Sequence, residues 1–154
     1  MPTPDFVLRL RAGVGHDLLW LPGVTAVVLH GDRVLLVRRA DTGEWTPVSG
    51  ICDPGEHPAV TAVRECAEET GVVCEVDRLA RVAVTPVIEY PNGDRTQYVD
   101  HVLRCRYVSG TAHVADDESS EVGWFALEDL PPMSERHLES VRVAAVPDAP
   151  TRLG

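Results

Sequence analysis

The hydrophobic positions near the N-terminus follow the pattern of an antiparallel hairpin. Two runs rich in β-branched and aliphatic side chains, Leu18–Leu29 and Arg33–Arg38, lie on either side of the short His-Gly-Asp turn at 30–32. Such runs around a turn that contains glycine and aspartate favour two paired strands. Before them, residues 1–15 have apolar positions that fit either a short helix or an extended arm.

Further along the chain, the pattern predicts two helices that alternate with strands. The helix Pro58–Thr70 starts with proline and is followed by Gly71, and these residue types commonly begin and end helices. A last helix is predicted over Ser134–Ala145. Four more strands are expected at Val72–Leu79, Arg81–Glu89, Tyr98–Val108 and Val122–Phe125.

The segments between these elements are predicted to be irregular. Residues 40–58 are rich in Gly, Pro and Asp, which favours a loop, and residues 147–154 are expected to form a flexible tail. The sequence contains no repeat and no internal linker, so a single domain of residues 1–154 is expected. Strands combined with two separated helices favour an α/β sandwich.

Composition and charge narrow the classes of function. The chain of 154 residues has 24 acidic and 14 basic side chains, and its net charge of −10 disfavours nonspecific binding to nucleic acid or to an anionic membrane. Every basic residue is arginine, and the absence of lysine excludes Schiff-base, P-loop and protein-kinase chemistry, because each of these needs a lysine ammonium. An anionic substrate would therefore require a metal cation between it and the acidic protein.

Cysteine usage bears on the cellular compartment. The four cysteines, at positions 52, 66, 74 and 105, form no CxxC motif and have no neighbouring His cluster, which argues against a zinc site. The N-terminal residues lack the basic and apolar regions of a signal peptide, and no apolar run is long enough to span a bilayer. A cytoplasmic protein without a membrane partner is expected, and a homodimer stays open.

The candidate chemistry is concentrated in the predicted helix Pro58–Thr70. Glu65, Glu68 and Glu69 lie at i, i+3 and i+4, so their carboxylates share one face. Like charges repel, but a hard divalent cation such as Mg²⁺ would stabilise the cluster. Taken alone, the spacing is also typical of a solvated face on an acidic protein. The face expected to pack on the sheet is a different one, made of Ala59, Val63, Cys66 and Thr70.

The residues around this helix follow a longer pattern. It starts at Gly50, continues after five residues with Glu56, and after seven more with the run Arg64-Glu65-Cys66-Ala67-Glu68-Glu69-Thr70-Gly71-Val72. This arrangement resembles the Nudix box of the Nudix hydrolases, Gly-x5-Glu-x7-Arg-Glu-U-x-Glu-Glu-x-Gly-U, where U is a bulky aliphatic residue. All seven fixed residues match, and the departure is Cys66, which stands where Ile, Leu or Val is usual. Because cysteine behaves as a small hydrophobe, this departure is expected to alter packing rather than chemistry.

The resemblance implies a fold and a reaction. Members of the family form an α/β/α sandwich with a mixed β-sheet, in which the box is a loop–helix–loop. They hydrolyse a nucleoside diphosphate linked to another group by water attack on phosphorus, with Mg²⁺ or Mn²⁺ as cofactor. This reaction needs no side-chain nucleophile, and the sequence offers none: Ser49 and Ser109 lack a G-x-S-x-G motif, and the cysteines have no activating neighbour.

The resemblance also implies roles for residues of the box. Glu68 and Glu69 match the family's metal-ligating pair, and Glu65 matches a third ligand or the catalytic base. The carbonyl group of Gly50 would complete the metal shell. Arg64 would orient a helix carboxylate.

Further candidates lie upstream of the helix. Trp45 is a candidate for stacking on a base, although a buried core tryptophan is equally expected. Arg38 and Arg39 end a strand that faces the box loop and are candidates for holding phosphate, with solvated arginines as the more common alternative. Glu56, the first acid of the box, is expected to be structural or to lie outside the direct metal ligands, and an acid favoured by the helix dipole is its alternative.

An acidic loop precedes the predicted strand Val122–Phe125. A carboxylate bound to Mg²⁺ is a poor proton acceptor, and in several family members an acid from a late loop supplies the base or a further metal ligand. Glu118 is the hypothesis for this role, because it lies mid-loop next to small polar residues. The alternative for each acid is a solvated loop. The loop reads Asp116-Asp117-Glu118-Ser119-Ser120-Glu121.

The substrate is the least determined of these expectations. Nucleoside triphosphates, ADP-ribose, nucleotide sugars and dinucleoside polyphosphates stay open, since Pro86 lies one position short of the proline that ADP-ribose-preferring relatives often carry after the box. A different class of function is a non-hydrolytic nucleotide-sensing or protein-binding Nudix module, although such modules often lack a box glutamate. An isopentenyl-diphosphate isomerase is a third alternative, but its additional Cys and Glu signatures are not evident.

Overall fold

The computed structural model describes residues 3–154, in which there are three helices and nine strands. The helices are α1 (Asp5–Val14), α2 (Pro58–Thr70) and α3 (Glu135–Ala145). The strands are β1 (Leu19–His30), β2 (Arg33–Arg39), β3 (Trp45–Thr46), β4 (Val48–Ile51), β5 (Val73–Val84), β6 (Ile88–Glu89), β7 (Arg95–Ser109), β8 (Ser119–Ala126) and β9 (Arg152–Leu153). Within the same residues, no helix has the length and apolar character that crossing a membrane requires.

The strands form one mixed sheet whose centre is the long parallel pair of β1 and β7. On one side β5 pairs antiparallel with β7, and on the other side β2 and β3 follow β1, with β8 antiparallel to β2. The predicted hairpin of β1 and β2 is confirmed. Its two strands pair directly only next to the turn, at Leu29–Val34 and His30–Arg33.

β1 changes neighbours along its length, and this change positions the start of the box. Beyond the hairpin, from Gly23 to Ala26, its antiparallel neighbour is β4, which holds Gly50 opposite Val24. Residues 40–58, predicted to be a loop, therefore contain the strands β3 and β4. These strands have two and four residues, which is too short for hydrophobic periodicity to reveal them.

α2 and α3 cover opposite faces of this sheet. Ala62 and Cys66 of α2 pack in a buried cluster with one set of alternate residues of β1, whereas Val141 and Ala144 of α3 pack in a second cluster with the other set. Successive side chains of a strand point to opposite faces, so the two clusters lie on the two sides of the sheet. The predicted α/β/α sandwich with a mixed sheet is confirmed.

One strand prediction needs correction. The segments Val72–Leu79 and Arg81–Glu89 were expected to be two strands, but β5 continues without a break from Val73 to Val84. Its register with β7 shifts three times, between Val73 and Cys74, between Val76 and Arg78, and between Leu79 and Arg81. A β-bulge adds a residue to one strand without ending it, so the local irregularity in the pattern does not mark a strand end.

The C-terminal residues also differ from the expectation. Instead of a flexible tail, residues 147–154 end in β9, which pairs parallel to β5 at Arg81 and Val82. The Gly154 N–H donates a hydrogen bond to the Val82 carbonyl at 2.8 Å. These backbone contacts attach the end of the described chain to the edge of the sheet.

The N-terminal segment forms a helix, α1, that is fixed to the sheet. Val7 is only 5% exposed and packs against β1. Arg11 donates hydrogen bonds to the Arg95 carbonyl at 2.6 Å and to Thr96 Oγ1 at 3.0 Å, both at the start of β7. Of the two alternatives for this segment, the structure contains the helix.

Candidate active site

α2 buries a face that contains two of its three glutamates. The helix ends at Gly71, which has a φ of 72° and donates its N–H to the Ala67 carbonyl. This left-handed cap stops the helix directly after the box glutamates. The buried residues of α2 are Thr61, Ala62, Glu65, Cys66, Glu69 and Thr70.

This buried face differs from the one that the sequence predicts. Cys66 and Thr70 are buried as expected, but Val63 is half-buried and Ala59 is exposed. Helical periodicity defines which residues share a face, whereas contact with the sheet decides which face is covered. Because β4 approaches α2 beside Glu65, the covered face includes carboxylates.

Glu65 is a buried carboxylate with one satisfied oxygen. Its exposed fraction is 0%, and Arg64 Nη1 donates a hydrogen bond to its Oε1 at 2.9 Å. The other oxygen, Oε2, has no hydrogen-bond partner among residues 3–154. Burial raises the pKa of Glu65 to about 7, although Arg64 acts in the opposite direction. An unpartnered buried carboxylate oxygen is costly unless a ligand binds it.

Gly50 makes this burial sterically feasible. A Cβ atom at residue 50 would lie 2.4 Å from both Cγ and Cδ of Glu65, which is closer than real Cβ contacts. Glycine therefore leaves the space that the Glu65 side chain occupies. The structure brings Gly50 and Glu65 together, as the resemblance to the Nudix box implies.

Glu69 follows Glu65 after one helical turn and is also buried, with 4% of its surface exposed. Burial raises the pKa of Glu69 to about 8, and the negative charges of Glu65 and Asp116 add to this effect. Two carboxylates so close in a desolvated place repel each other when both are ionised. A divalent cation bound to them would offset both the burial and the repulsion.

Arg64 connects three glutamates. Its Nε and Nη2 donate to Oε2 and Oε1 of Glu56 at 2.9 and 2.8 Å, which is a bidentate pair. Its Nη1 donates to Glu65 at 2.9 Å and to Glu68 at 3.3 Å. The hydrogen bonds from Arg64 lower the pKa of Glu56 to about 2. Glu56 thus holds the guanidinium from the loop before α2, in a position from which it can orient Glu65.

The carboxylates have the chemistry that a hard divalent cation prefers, but among residues 3–154 they are not yet arranged around a common metal position. Within residues 3–154, no three His, Cys, Asp or Glu side chains are close enough together to form a metal cluster. The Glu68 side chain is 45% exposed, and its carboxylate contacts Arg64. The unpartnered Oε2 of Glu65 and the space left by Gly50 fit a cation with oxygen ligands, which Mg²⁺ and Mn²⁺ prefer.

The acidic loop before β8 is attached to the end of α2. The N–H groups of His113 and Ala115 donate hydrogen bonds to the carbonyls of Thr70 and Glu69 at 3.0 and 3.2 Å. These contacts lead the chain directly to Asp116, whose charge raises the pKa of Glu69. The loop therefore brings a further carboxylate close to the buried pair.

Glu118, the residue predicted as a base, is half-buried in the same loop. Its N–H donates to Asp116 Oδ1 at 3.1 Å, and its carbonyl accepts the Ala40 N–H at 2.8 Å. Glu121 lies further on and forms an ion pair with Arg38 at 3.3 Å. The charge of Asp116 in this loop adds to the raised pKa of Glu69. Sequence reasoning ranked Asp116 below Glu118, because carboxylates in one loop carry no signal that separates them.

A groove of about 820 Å³ lies between α1 and the residues Arg64, Glu68 and Asp116. Its other wall includes Phe6 and Arg9 of α1. Pockets that hold small organic ligands commonly have volumes of roughly 300–1,000 Å³. The groove thus offers room for a nucleotide beside the box. Sequence reasoning missed the contribution of α1, and the helical spacing of Phe6 and Arg9 is the signal that could have indicated it.

Trp45 is not brought to the glutamates of α2. The residue is half-buried and packs edge-on against Phe125, with ring centroids 4.8 Å apart. Both rings pack against the buried cluster beneath α3, on the opposite face of the sheet. This packing favours the core alternative, and stacking on a base stays a prediction.

The two upstream arginines are held by neighbouring carboxylates. Arg38 pairs with Glu121 across the β2–β8 ladder. Arg39 donates hydrogen bonds to both oxygens of Asp41, at 3.0 and 2.8 Å. Arg39 also lies near enough to Glu69 for the two charges to interact. Of this pair, Arg39 is therefore the one on the side of the candidate site.

Known proteins of one family are similar to this chain over most of its length. Residues 20–144 match a family model described as the NUDIX domain. A MutT-like protein of Streptomyces ambofaciens is 37% identical over 117 residues, which cover 75% of this chain and 68% of that protein. An NAD-capped RNA hydrolase NudC of Pseudomonas putida is 30% identical over 114 residues, which cover 73% of this chain but only 38% of that enzyme. The chain therefore spans well under half the length of the NudC relative.

Solved structures agree on the fold. An ADP-ribose pyrophosphatase from Streptococcus suis superimposes with a TM-score of 0.63 and 23% identity. The match covers 87% of this chain and 98% of the other. At this identity the likeness concerns the arrangement of helices and strands and carries no statement about the substrate.

Proposed function

Because this chain belongs to the Nudix family and is a Nudix hydrolase, we propose that it cleaves the diphosphate linkage of a nucleoside diphosphate derivative with the help of a divalent metal ion. The observation that carries the proposal is the buried pair of Glu65 and Glu69, in which Glu65 Oε2 has no partner among the described residues. A structural helix gains nothing from such a pair, because burying carboxylates costs free energy. A bound divalent cation would offset this cost.

The proposed ligands are the carboxylates of Glu65, Glu68 and Glu69, together with the carbonyl of Gly50. Mg²⁺ or Mn²⁺ at this place would neutralise the diphosphate and lower the barrier to water attack on phosphorus. The charge of the cation also lets an anionic substrate approach a protein with a net charge of −10. The substitution of any one ligand is therefore expected to weaken metal binding and hydrolysis together.

The chain's own residues have three further roles in the proposal. Arg64 holds the Glu65 carboxylate in place through the hydrogen bond at 2.9 Å. Burial gives Glu69 a strong tendency to bind either a proton or a cation. A carboxylate of the late loop accepts the proton of the attacking water, and Glu118 is the proposed base.

Asp116 is the competitor of Glu118 for this last role, because it lines the groove and acts electrostatically on Glu69. Steady-state kinetics of variants at the two positions distinguish between Asp116 and Glu118 as the base. Loss of a base lowers kcat far more than it changes KM. If Glu118→Gln is neutral and Asp116→Asn lowers kcat, the base is Asp116.

The proposed substrates are free nucleotides with a diphosphate linkage, namely nucleoside triphosphates, ADP-ribose and related compounds. The name of one relative, a hydrolase of NAD-capped RNA that is 30% identical, supports this class. The groove volume of about 820 Å³ supports a ligand of this size. A cytoplasmic location is part of the proposal, and the four buried free cysteines fit a reducing compartment.

A hydrolysis screen with chromatographic detection of the nucleotide products tests the proposed function, because cleavage of these diphosphate linkages yields phosphate esters or pyrophosphate. The wild-type protein is incubated with ATP, GTP, ADP-ribose, UDP-glucose and a dinucleoside tetraphosphate, each with Mg²⁺, with Mn²⁺ and with EDTA. We expect metal-dependent formation of a shorter nucleotide, such as a nucleoside monophosphate, from at least one compound. Calorimetric titration of Mg²⁺ into the wild type and into Glu69→Gln measures the metal site without any substrate. If no compound is cleaved but one of them raises Tm, the protein is a nucleotide sensor and the proposed activity is wrong.

A further inference from the structure

α1 lies before the residues that match the family model, yet it forms one wall of the groove beside the box. The groove is bounded on its other sides by the loop at Asp53, by Arg64 and Glu68 of α2, and by Asp116 of the late loop. A ligand that fills this space would therefore contact α1 and the candidate metal ligands at the same time.

The position of α1 is determined by contacts that do not involve the groove. Val7 is buried against β1, and Arg11 is bound to the Arg95 carbonyl and to Thr96 Oγ1. These contacts fix the helix to the start of β7. The groove wall is thus an ordered part of the domain. Phe6 of this wall also packs against the cluster that contains Val7, whereas the exposed Arg9 is not part of that cluster.

Two residues of this wall have the chemistry of nucleotide recognition. Phe6 and Arg9 are three positions apart, so they lie on the same face of α1, and both line the groove. Phe6 is half-buried, whereas Arg9 is exposed. The Arg9 side chain makes no ion pair or hydrogen bond with any of residues 3–154. An arginine that is not used for packing or pairing is available to a ligand.

The charges in the groove explain why an additional arginine is useful there. The guanidinium of Arg64 is engaged by the carboxylates of Glu56, Glu65 and Glu68. The other charged groups on the box side of the groove are the acids Asp53, Glu68 and Asp116, which repel a phosphate group. On the opposite wall α1 contributes Asp5 and Arg9, and Arg9 is the positive charge there.

We propose that Phe6 and Arg9 form a substrate-binding wall, in which Arg9 binds a phosphate group of the nucleotide and Phe6 packs against its base. Guanidinium groups bind phosphate through paired hydrogen bonds, and aromatic rings stack on bases. The inference rests on the proposed nucleotide substrate but adds a recognition element from outside the family-matched residues. Its members are positioning residues for the substrate and take no part in the bond cleavage.

Kinetics of Arg9→Gln test the role of the arginine. For the compound that the wild type cleaves fastest in the screen, KM should rise about tenfold or more, because a charge-assisted hydrogen bond is lost. The value of kcat should stay within about twofold, because the metal ligands are untouched. Arg9→Lys keeps a positive charge and should give an intermediate KM. Arg33→Gln removes an exposed arginine of β2 and is the matched control, with unchanged KM.

Phe6→Leu tests the aromatic ring while it preserves the packing of α1. We expect a raised KM for every base that stacks, and unchanged Tm within the error of a thermal melt. A merely structural role for Phe6 would instead lower Tm and leave KM unchanged. That outcome would restrict the proposal to Arg9.

Equilibrium binding separates this inference from the proposed activity. Calorimetric titration of ADP in the presence of Mg²⁺ needs no turnover, so it applies even if the screen finds no cleaved compound. Weaker ADP binding by Arg9→Gln, with wild-type binding by Arg33→Gln, supports the substrate-binding wall. Equal binding by wild type and Arg9→Gln overturns it, as does the absence of ADP binding to the wild type. An active enzyme whose KM is insensitive to residue 9 overturns it while the proposed function stands.

Discussion

α2 and α3 lie on opposite faces of the same sheet and bury different kinds of side chain against it. The buried residues of α3 carry no negative charge; they are His137, Ser140, Val141 and Ala144. α2 buries the carboxylates of Glu65 and Glu69 among its packing residues. Burial of a carboxylate costs free energy, whereas burial of valine and alanine releases it.

The ends of the two helices differ in the same direction. The N-cap Ser134 of α3 accepts a hydrogen bond from the His137 N–H, whereas the N-cap His57 of α2 makes no side-chain cap bond. N-cap hydrogen bonds stabilise a helix. The sequence of α3 is thus suited to stability, and that of α2 gives up stability to place carboxylates. In this domain α3 therefore contributes mainly to stability, and α2 carries the candidate metal ligands.

Glu69→Gln tests whether α2 buries its carboxylates to bind a metal ion, and of the substitutions considered it should lower activity the most. Glutamine keeps the shape of the side chain but removes its charge, so the hydrolysis rate should fall at least about a hundredfold. The free energy of unfolding of the metal-free protein should stay equal or rise, because glutamine lacks the ionised form that burial and the charge of Glu65 disfavour at residue 69. Steady-state kinetics and urea denaturation measure the two quantities.

The exposed Glu128 after β8 provides the control for that experiment. Glu128→Gln makes the same chemical change far from the box and should leave both rate and stability unchanged. A folded Glu69→Gln protein as active as this control would contradict the role of Glu69 as a metal ligand.

His137 of α3 should make the free energy of unfolding depend on pH. Burial lowers the pKa of His137 from 6.5 to about 4. Between these pH values the unfolded chain binds a proton that the folded protein does not, so stability is lost as the pH falls from about 6.5 towards 4. Urea denaturation of wild type and His137→Gln across this range measures the effect. Equal slopes of stability against pH in the two proteins would show that His137 does not contribute.

Val141→Ala removes buried volume beneath α3 and should lower the free energy of unfolding by about 1.5 kcal/mol. The side chain is 1% exposed and belongs to the cluster on the face opposite α2. Because the box is on the other face, kcat and KM of the folded enzyme should stay at wild-type values. A large loss of kcat without a loss of stability would refute the separation of the two faces.

The smallest predicted effect concerns the helix caps. Ser134→Ala should destabilise the protein by about 1 kcal/mol, because the N-cap bond to the His137 N–H is lost. His57→Ala is the matched change at α2 and should have a smaller effect, since His57 makes no cap bond. Chemical denaturation of both variants measures the two effects. A larger loss of stability in His57→Ala than in Ser134→Ala would contradict the prediction.

Several elements were predictable because their signals are local. Pro58 and Gly71 mark the two ends of α2, and the structure confirms the predicted bounds Pro58–Thr70. The turn at 30–32 likewise identifies the hairpin. The short strands β3, β4 and β9 carry no such signal. They exist because a neighbouring strand supplies hydrogen bonds. That neighbour is remote in the chain for β4 and β9, whereas for β3 it is the preceding strand β2.

In the candidate site, too, some features could be predicted from the sequence and others could not. The spacing from Gly50 to Val72 and the three glutamates are properties of the sequence, and they were sufficient to indicate the family, the fold and a hydrolase. Their separation into two buried carboxylates and the exposed Glu68 was not predictable. The same limit applies to Asp116 and Glu118, which are chemically alike and differ in position.

The sequence by itself determined which residues share a helix face, where α2 begins and ends, and which chemical groups are available. The tertiary structure decided that β4 lies against the glutamate face, that the loop after β7 brings Asp116 to Glu69, and that α1 forms a wall of the groove. The physical reason is the range of the interactions. Periodicity and caps act within a few residues, whereas burial and electrostatic fields depend on segments that meet only after the chain has folded.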